Sequence, residues 1–292
     1  MARYELGEAA RTRLLQIVVA GYLGGIGFGC WVLTRIVQEM ESALAQQLRV
    51  PVTERPGAML STLRDNGSLV SLLSPVAGSD EAAEALLGRP LLALWIGAAT
   101  MFLLPAVVIV ATSGSVASEV QSRSLRYLLV RTSRSSIAFG KLLGQLAMVA
   151  LAALAGVGLA WAMGMVMMVG NPPVELLVAL LERSALGFLY ALPYAGMGMA
   201  VSMCITHPNG ARLVAGALLV VSPILYNLLV DWSGTSALGR LADLGTLVWP
   251  NHLWFAYWNA RSADIAGATV HGLIIGAVWF ALGWAVFRRR NL

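Results

Sequence analysis

Hydrophobic positions fall into six long runs separated by shorter polar stretches. The runs are Leu14–Thr34, Leu91–Thr112, one within Ile137–Gly170, Ser184–Ile205, Leu213–Val230 and Thr269–Phe287. About 20 apolar residues at 1.5 Å rise cross the hydrocarbon of a bilayer, so each run predicts a transmembrane helix. Pro105, Pro193 and Pro223 fall inside three of them. Neighbouring helices can satisfy the carbonyls that proline frees, so these predict kinks rather than breaks. The first run is too long for a secretory signal core, follows Arg11 and Arg13, and has no convincing small-residue cleavage site after it. It is expected to be retained as a span.

The polar segments complete the layout. Residues 1–13 predict an interfacial helix and 35–90 an extra-membrane domain in which Val37–Leu48 prolongs the first helix. Residues 113–136 join spans two and three, 171–183 form an interfacial helix before the fourth span, and 206–212 are a short loop. Residues 231–268 are an aromatic segment carrying Trp249, Trp254, Phe255, Tyr257 and Trp258, and 288–292 are a tail. Tryptophan and tyrosine gather at membrane interfaces, so the aromatic segment is expected to dip into the headgroup layer. The prediction is an all-α integral membrane protein with six spans and one helical domain between spans one and two.

Composition agrees: of 292 residues 58% are hydrophobic and only 12% charged, about half the charge of a soluble domain. A cytosolic enzyme and a disordered chain are thereby excluded. The net charge of +5 could suggest nucleic acid, but its placement argues for topology instead. With the N-terminus inside, the inner segments hold 12 basic residues against 8 in the outer ones. The Arg288-Arg289-Arg290 stop adds weight to cytoplasmic N- and C-termini.

Candidate chemistry within the chain is sparse. No Gly-x4-Gly-Lys-Ser/Thr phosphate loop occurs, so ATP has no binding motif here. His207, His252 and His271 are far apart in sequence, and no His-Glu-x-x-His pattern is present. Cys30 and Cys204 fall at different depths of different spans, which predicts two free, buried thiols. Met163, Met165, Met167, Met168, Met197, Met199 and Met203 on spans three and four are read as flexible packing rather than a Cu(I) site. No catalytic, cofactor-binding or metal-ligating set is expected. Charges are nearly absent from the spans proper; Glu182-Arg183 is read as lying at the outer interface.

The stretch Ser113–Lys141 is the most informative. At 100° per residue Glu119, Ser122, Arg123 and Arg126 share one arc, and Glu119–Arg123 is an i,i+4 pair in the favoured order. This predicts an amphipathic helix on the inner membrane surface, either an anchor on anionic lipid or a docking helix for a cytoplasmic partner. The stretch resembles the cytoplasmic signature of ABC-2 type transporter permeases. That signature runs Glu, then Gly-Thr-Leu, Leu-Leu, Pro and Arg, and finally Gly-Lys. Here it reads Glu119, Arg123-Ser124-Leu125, Leu128-Leu129, Arg131-Thr132-Ser133-Arg134 and Gly140-Lys141. Arg123 stands where glycine is usual and Thr132 where proline is usual. The amphipathic segment Tyr4–Arg13, the first outer domain and Trp249-Pro250 also match in layout.

The resemblance implies the membrane subunit of an ATP-driven transporter, with export as the expected direction, in a bacterial cytoplasmic membrane. It implies a separate cytoplasmic ABC ATPase subunit that holds ATP and magnesium, so that this chain needs no cofactor. It further implies a coupling role for Glu119, Arg123, Leu125 and Arg126, and a second permease chain, identical or related, packed largely through spans one and five. Gly21, Gly25 and Gly29 recur every four residues on span one, a stripe that permits close helix approach. It serves either packing within the chain or the subunit interface. Two other functions compete: a membrane scaffold whose outer domain is driven by a cytoplasmic ATPase, and a membrane-embedded enzyme, for which no polar pair is found in the spans.

Overall fold

The computed structural model describes residues 13–48, 56–57, 70, 88–169, 172–232, 237–259 and 262–290. The predicted helix over 1–13 and most of the domain over 35–90 lie outside them. Among the described residues the chain is helical, without strands. Six helices are long and apolar enough to cross a membrane: α1 (Arg13–Leu48), α2 (Leu91–Ser113), α5 (Arg134–Met167), α6 (Pro173–Cys204), α7 (Pro208–Trp232) and α10 (Ser262–Arg289). Short helices α3 (Ser115–Gln121) and α4 (Ser124–Leu129) join α2 to α5, while α8 (Ala237–Thr246), a 3-10 turn over Pro250–Leu253 and α9 (Trp254–Asn259) join α7 to α10.

Helix α6 is the hub. It packs along α2 and α10 and also meets α5 and α7, while α1 lies against α2 and α5. Small residues set its close contact with α10. A methyl group on Gly196 would run into the carbonyl of Gly276, and one on Gly283 into the backbone of Ala200. Without a strong hydrophobic force between helices in lipid, such backbone approach supplies the dispersion contacts that hold a pair together. Pro105, Pro193 and Pro223 sit inside their helices without ending them.

Four expectations change. The fourth span and the interfacial helix expected before it are one helix of 32 residues. Within it Arg183 is buried: Nη1 donates to the Trp258 carbonyl at 2.7 Å, and the guanidinium stands 5.9 Å from that indole. Glu182 does remain partly exposed and pairs with Arg89 at 2.6 Å. The aromatic segment packs inward as well as outward. Tyr257 and Trp258 are buried, and Tyr190 of α6 meets Trp254 and Tyr257 edge-on, whereas Phe255 is exposed. Both cysteines are free, Cys30 buried as expected but Cys204 exposed, because it is the last residue of α6.

The methionines do not form one group. Met163, Met165 and Met167 belong to the last turns of α5, whereas Met197, Met199 and Met203 belong to the last turns of α6. Those two helices run in opposite directions across the bundle, so the two sets sit at opposite ends. No cluster of three His, Cys, Asp or Glu side chains that could hold a metal occurs among the described residues.

Candidate functional site: the elbow between spans two and three

Between α2 and α5 the chain makes a helical elbow, built from α3 and α4. Gly114 separates α2 from α3, and the guanidinium of Arg212, at the start of α7, covers it: a Cβ there would lie 2.8 Å from Nε. The first amides of α3 lack partners within their own helix. Ser202 of α6 accepts from Val116 N at 2.9 Å and from Ala117 N at 3.2 Å, serving as an N-cap from another helix. Ser115 Oγ donates to the Thr112 carbonyl at 2.8 Å and lies 3.2 Å from the Met199 sulfur. The elbow is thus tied to α6 and α7 from its first turn.

The predicted single helix over this stretch is broken. Arg123 adopts φ +60°, the left-handed region, and separates α3 from α4. A side chain there costs about 1–2 kcal/mol that glycine avoids, which accounts for the glycine usual at this point of the signature. The other departure is also legible. Thr132 N and Oγ1 both donate to the Leu128 carbonyl, at 3.0 and 2.9 Å. The turn is held by hydrogen bonds where proline would hold it by its ring. Ser133 then caps α5 by accepting from Ser136 N at 3.2 Å.

The break redistributes the four candidate coupling residues. Glu119 does not share an exposed stripe with Arg123 and Arg126; it points inward, where its Oε1 lies 2.6 Å from Lys141 Nζ, both side chains at least nine-tenths buried. Leu125 is also inside, 1% exposed, in a cluster with Val116, Ile137, Met199, Met203 and Phe287. Arg123 and Arg126 face outward. Beside them Tyr127 is 79% and Val130 83% exposed. The arc shared by Glu119, Arg123 and Arg126 is lost because the left-handed residue resets the angular register.

A second set of contacts ties the end of the bundle together. Arg134 Nη1 donates to the carbonyls of Phe287, Arg288 and Arg290 at 3.0, 2.8 and 3.1 Å, capping the C-terminus of α10 from α5. Arg290 Nη2 in turn donates to the Cys204 carbonyl at the end of α6.

The glycine stripe divides. A methyl group added to Gly25 would stand 3.0 Å from Leu103, and one added to Gly29 would stand 3.3 Å from Trp95, both residues of α2 in the same chain. Gly21 faces open space. His252 and His271, unrelated in sequence, meet at the opposite end of the bundle. Nε2 of His252 lies 3.3 Å from Nδ1 of His271, and the outer nitrogens face the carbonyls of Trp249 and Leu247 at 2.7 and 3.1 Å. Nothing in the sequence pattern signals this pair, since it requires the 3-10 turn to fold back on α10.

Comparison with protein families matches residues 32–292 to a family described as ABC-2 family transporter protein. No match is found among the curated proteins.

Proposed function

The chain belongs to the ABC-2 family of transporter proteins, and from that premise we propose that the elbow couples it to a separate ATP-hydrolysing subunit. As a membrane-spanning transport subunit of that family, it forms the pathway and leaves hydrolysis to the partner. The observation that carries the reading is the elbow's division of labour. One face is anchored by the buried Glu119–Lys141 pair and Leu125, and the other presents Arg123, Arg126, Tyr127 and Val130. An exposed aromatic flanked by arginines is the composition of an interface hot spot, and the charges supply register and association rate. A docked force applied there has a stiff path into α6 through Ser202 and into α5 through Lys141.

In this reading the elbow end faces the cytoplasm, because that side carries the excess of arginine, and the membrane is a bacterial cytoplasmic membrane. Export is the proposed direction. The working unit is two permease chains with two ATPase chains. The second permease chain, identical or related, meets the open face of α1 around Gly21 together with α7, on which Leu213, Val220 and Ile224 stand exposed.

The test is purification of the native complex from its membrane, followed by reconstitution in vesicles. The reading expects a nucleotide-hydrolysing subunit in stoichiometric amount and ATP turnover that requires both chains. A purified complex that contains no such subunit contradicts it.

A further inference from the structure

A groove of about 530 Å³ runs between α5, α6 and α10. Its floor is made of small residues, among them Ala195, Gly196 and Gly276; its walls are bulky, with Leu146 on one side and Leu273 on the other. At the elbow end Phe139 and Phe280 close together, ring centroids 4.9 Å apart, and Trp284 lies one turn beyond. From Leu273 to Trp284 the α10 wall rises about 16 Å, close to half of the roughly 30 Å hydrocarbon core. The groove therefore matches the depth of one leaflet.

The lining is almost wholly apolar along its length and polar only at one end. Ser135 is the hydroxyl-bearing residue of the lining, at the start of α5. The guanidinium of Arg288 stands 5.5 Å from the Trp284 ring, and Arg134 adjoins Ser135. A slot one leaflet deep, with a cation at its interfacial mouth, has the shape and charge of a single acyl chain joined to an anionic headgroup. Neither water nor a charged solute fits the apolar length, since every polar group there would be left unpaired.

We propose that this groove is a binding site for one anionic phospholipid of the leaflet on the elbow side. One acyl chain lies between α5 and α10 over the small-residue floor, and the phosphate meets Arg288. Arg134 is committed to the α10 carbonyls and holds the mouth in shape. The proposal stands apart from the transport reading, because it rests on the groove and its charges alone.

Native mass spectrometry of the purified chain, offered phosphatidylglycerol and phosphatidylcholine with identical chains, tests it. The expected result is one retained phosphatidylglycerol and weaker retention of phosphatidylcholine. Ala277→Trp fills the groove and should abolish retention, whereas Val278→Trp, next to it but outside the lining, should leave it unchanged. Leu273→Trp obstructs the far end independently and decides the matter if Ala277→Trp does not fold. Arg288→Gln should cut the preference for phosphatidylglycerol about fivefold, since a basic residue near a charged lipid surface contributes about 1 kcal/mol. Equal retention of the two lipids by the parent chain, or undiminished retention in folded variants with the groove filled, overturns the proposal.

Discussion

Lys141 Nζ lies 2.6 Å from Glu119 Oε1 across the inside of the elbow, linking α3 to the first turns of α5. Lys141 is the only lysine in the chain. A buried ion pair contributes little relative to an apolar pair of the same shape, but removing one partner leaves an uncompensated charge that costs about 3–5 kcal/mol. Glu119→Leu and Lys141→Met should each lower the melting temperature of the detergent-purified chain sharply. The double variant Glu119→Leu/Lys141→Met should recover most of the loss. Additive losses in the double variant would show that the two side chains do not act as a pair.

Arg123→Gly should raise stability by about 1 kcal/mol, because glycine adopts the left-handed conformation without the steric cost that arginine bears. The gain is partly offset by the greater freedom of glycine in the unfolded chain. The same melting experiment reads it, and a clear fall in stability would mean that the arginine side chain holds the break.

The six spans, the interior prolines and the elbow's place between spans two and three are all legible in the sequence, because hydrophobic runs of bilayer length leave few alternatives. The orientation of the elbow's side chains is not. A helical wheel assumes a constant angle per residue, and one residue at φ +60° invalidates it for everything beyond. So Glu119, expected on one arc with Arg123 and Arg126, points inward, as does Leu125, while Tyr127 and Val130 stand exposed beside the arginines. The His252–His271 pair is invisible for a different reason: its partners are brought together by a turn whose path no local pattern encodes. Gly25 and Gly29 illustrate a third limit, since a small-residue stripe says that a helix can come close but not whose helix it is.

Orientation can be read by labelling single cysteines in a background lacking Cys30 and Cys204. Ser122→Cys, in the exposed break of the elbow, should react only with reagents that enter the cytoplasm, and Ser68→Cys should react from outside. The reverse pattern would invert the topology.

His252 carries a pH signature. Burial pushes its imidazole below its ordinary range, the Trp249 carbonyl partly opposes this, and the neighbouring His271 adds to it. The unfolded chain therefore binds protons more readily at this residue than the folded one, so the contribution to stability is present above the ordinary value of about 6.5 and is lost as the pH falls below it. Thermal melts at about pH 7.5 and about pH 5.5 should show a smaller acid-induced loss in His252→Gln than in the parent chain. Parallel losses would contradict the assignment.

The central claim is that the outer face of the elbow docks an ATP-hydrolysing subunit while its inner face only holds it in place. Arg126 is exposed and outside the Glu119–Lys141 contact, so Arg126→Glu should insert and melt like the parent chain. Reversing a charge that is desolvated on docking costs at least about 2 kcal/mol, more than tenfold in affinity. The direct measurement is ATP turnover by the reconstituted complex, with retention of the ATPase on the purified permease read in parallel. The account predicts a normally folded Arg126→Glu permease that loses the ATPase and with it the permease-dependent turnover. Unchanged retention and unchanged turnover in that variant would contradict it.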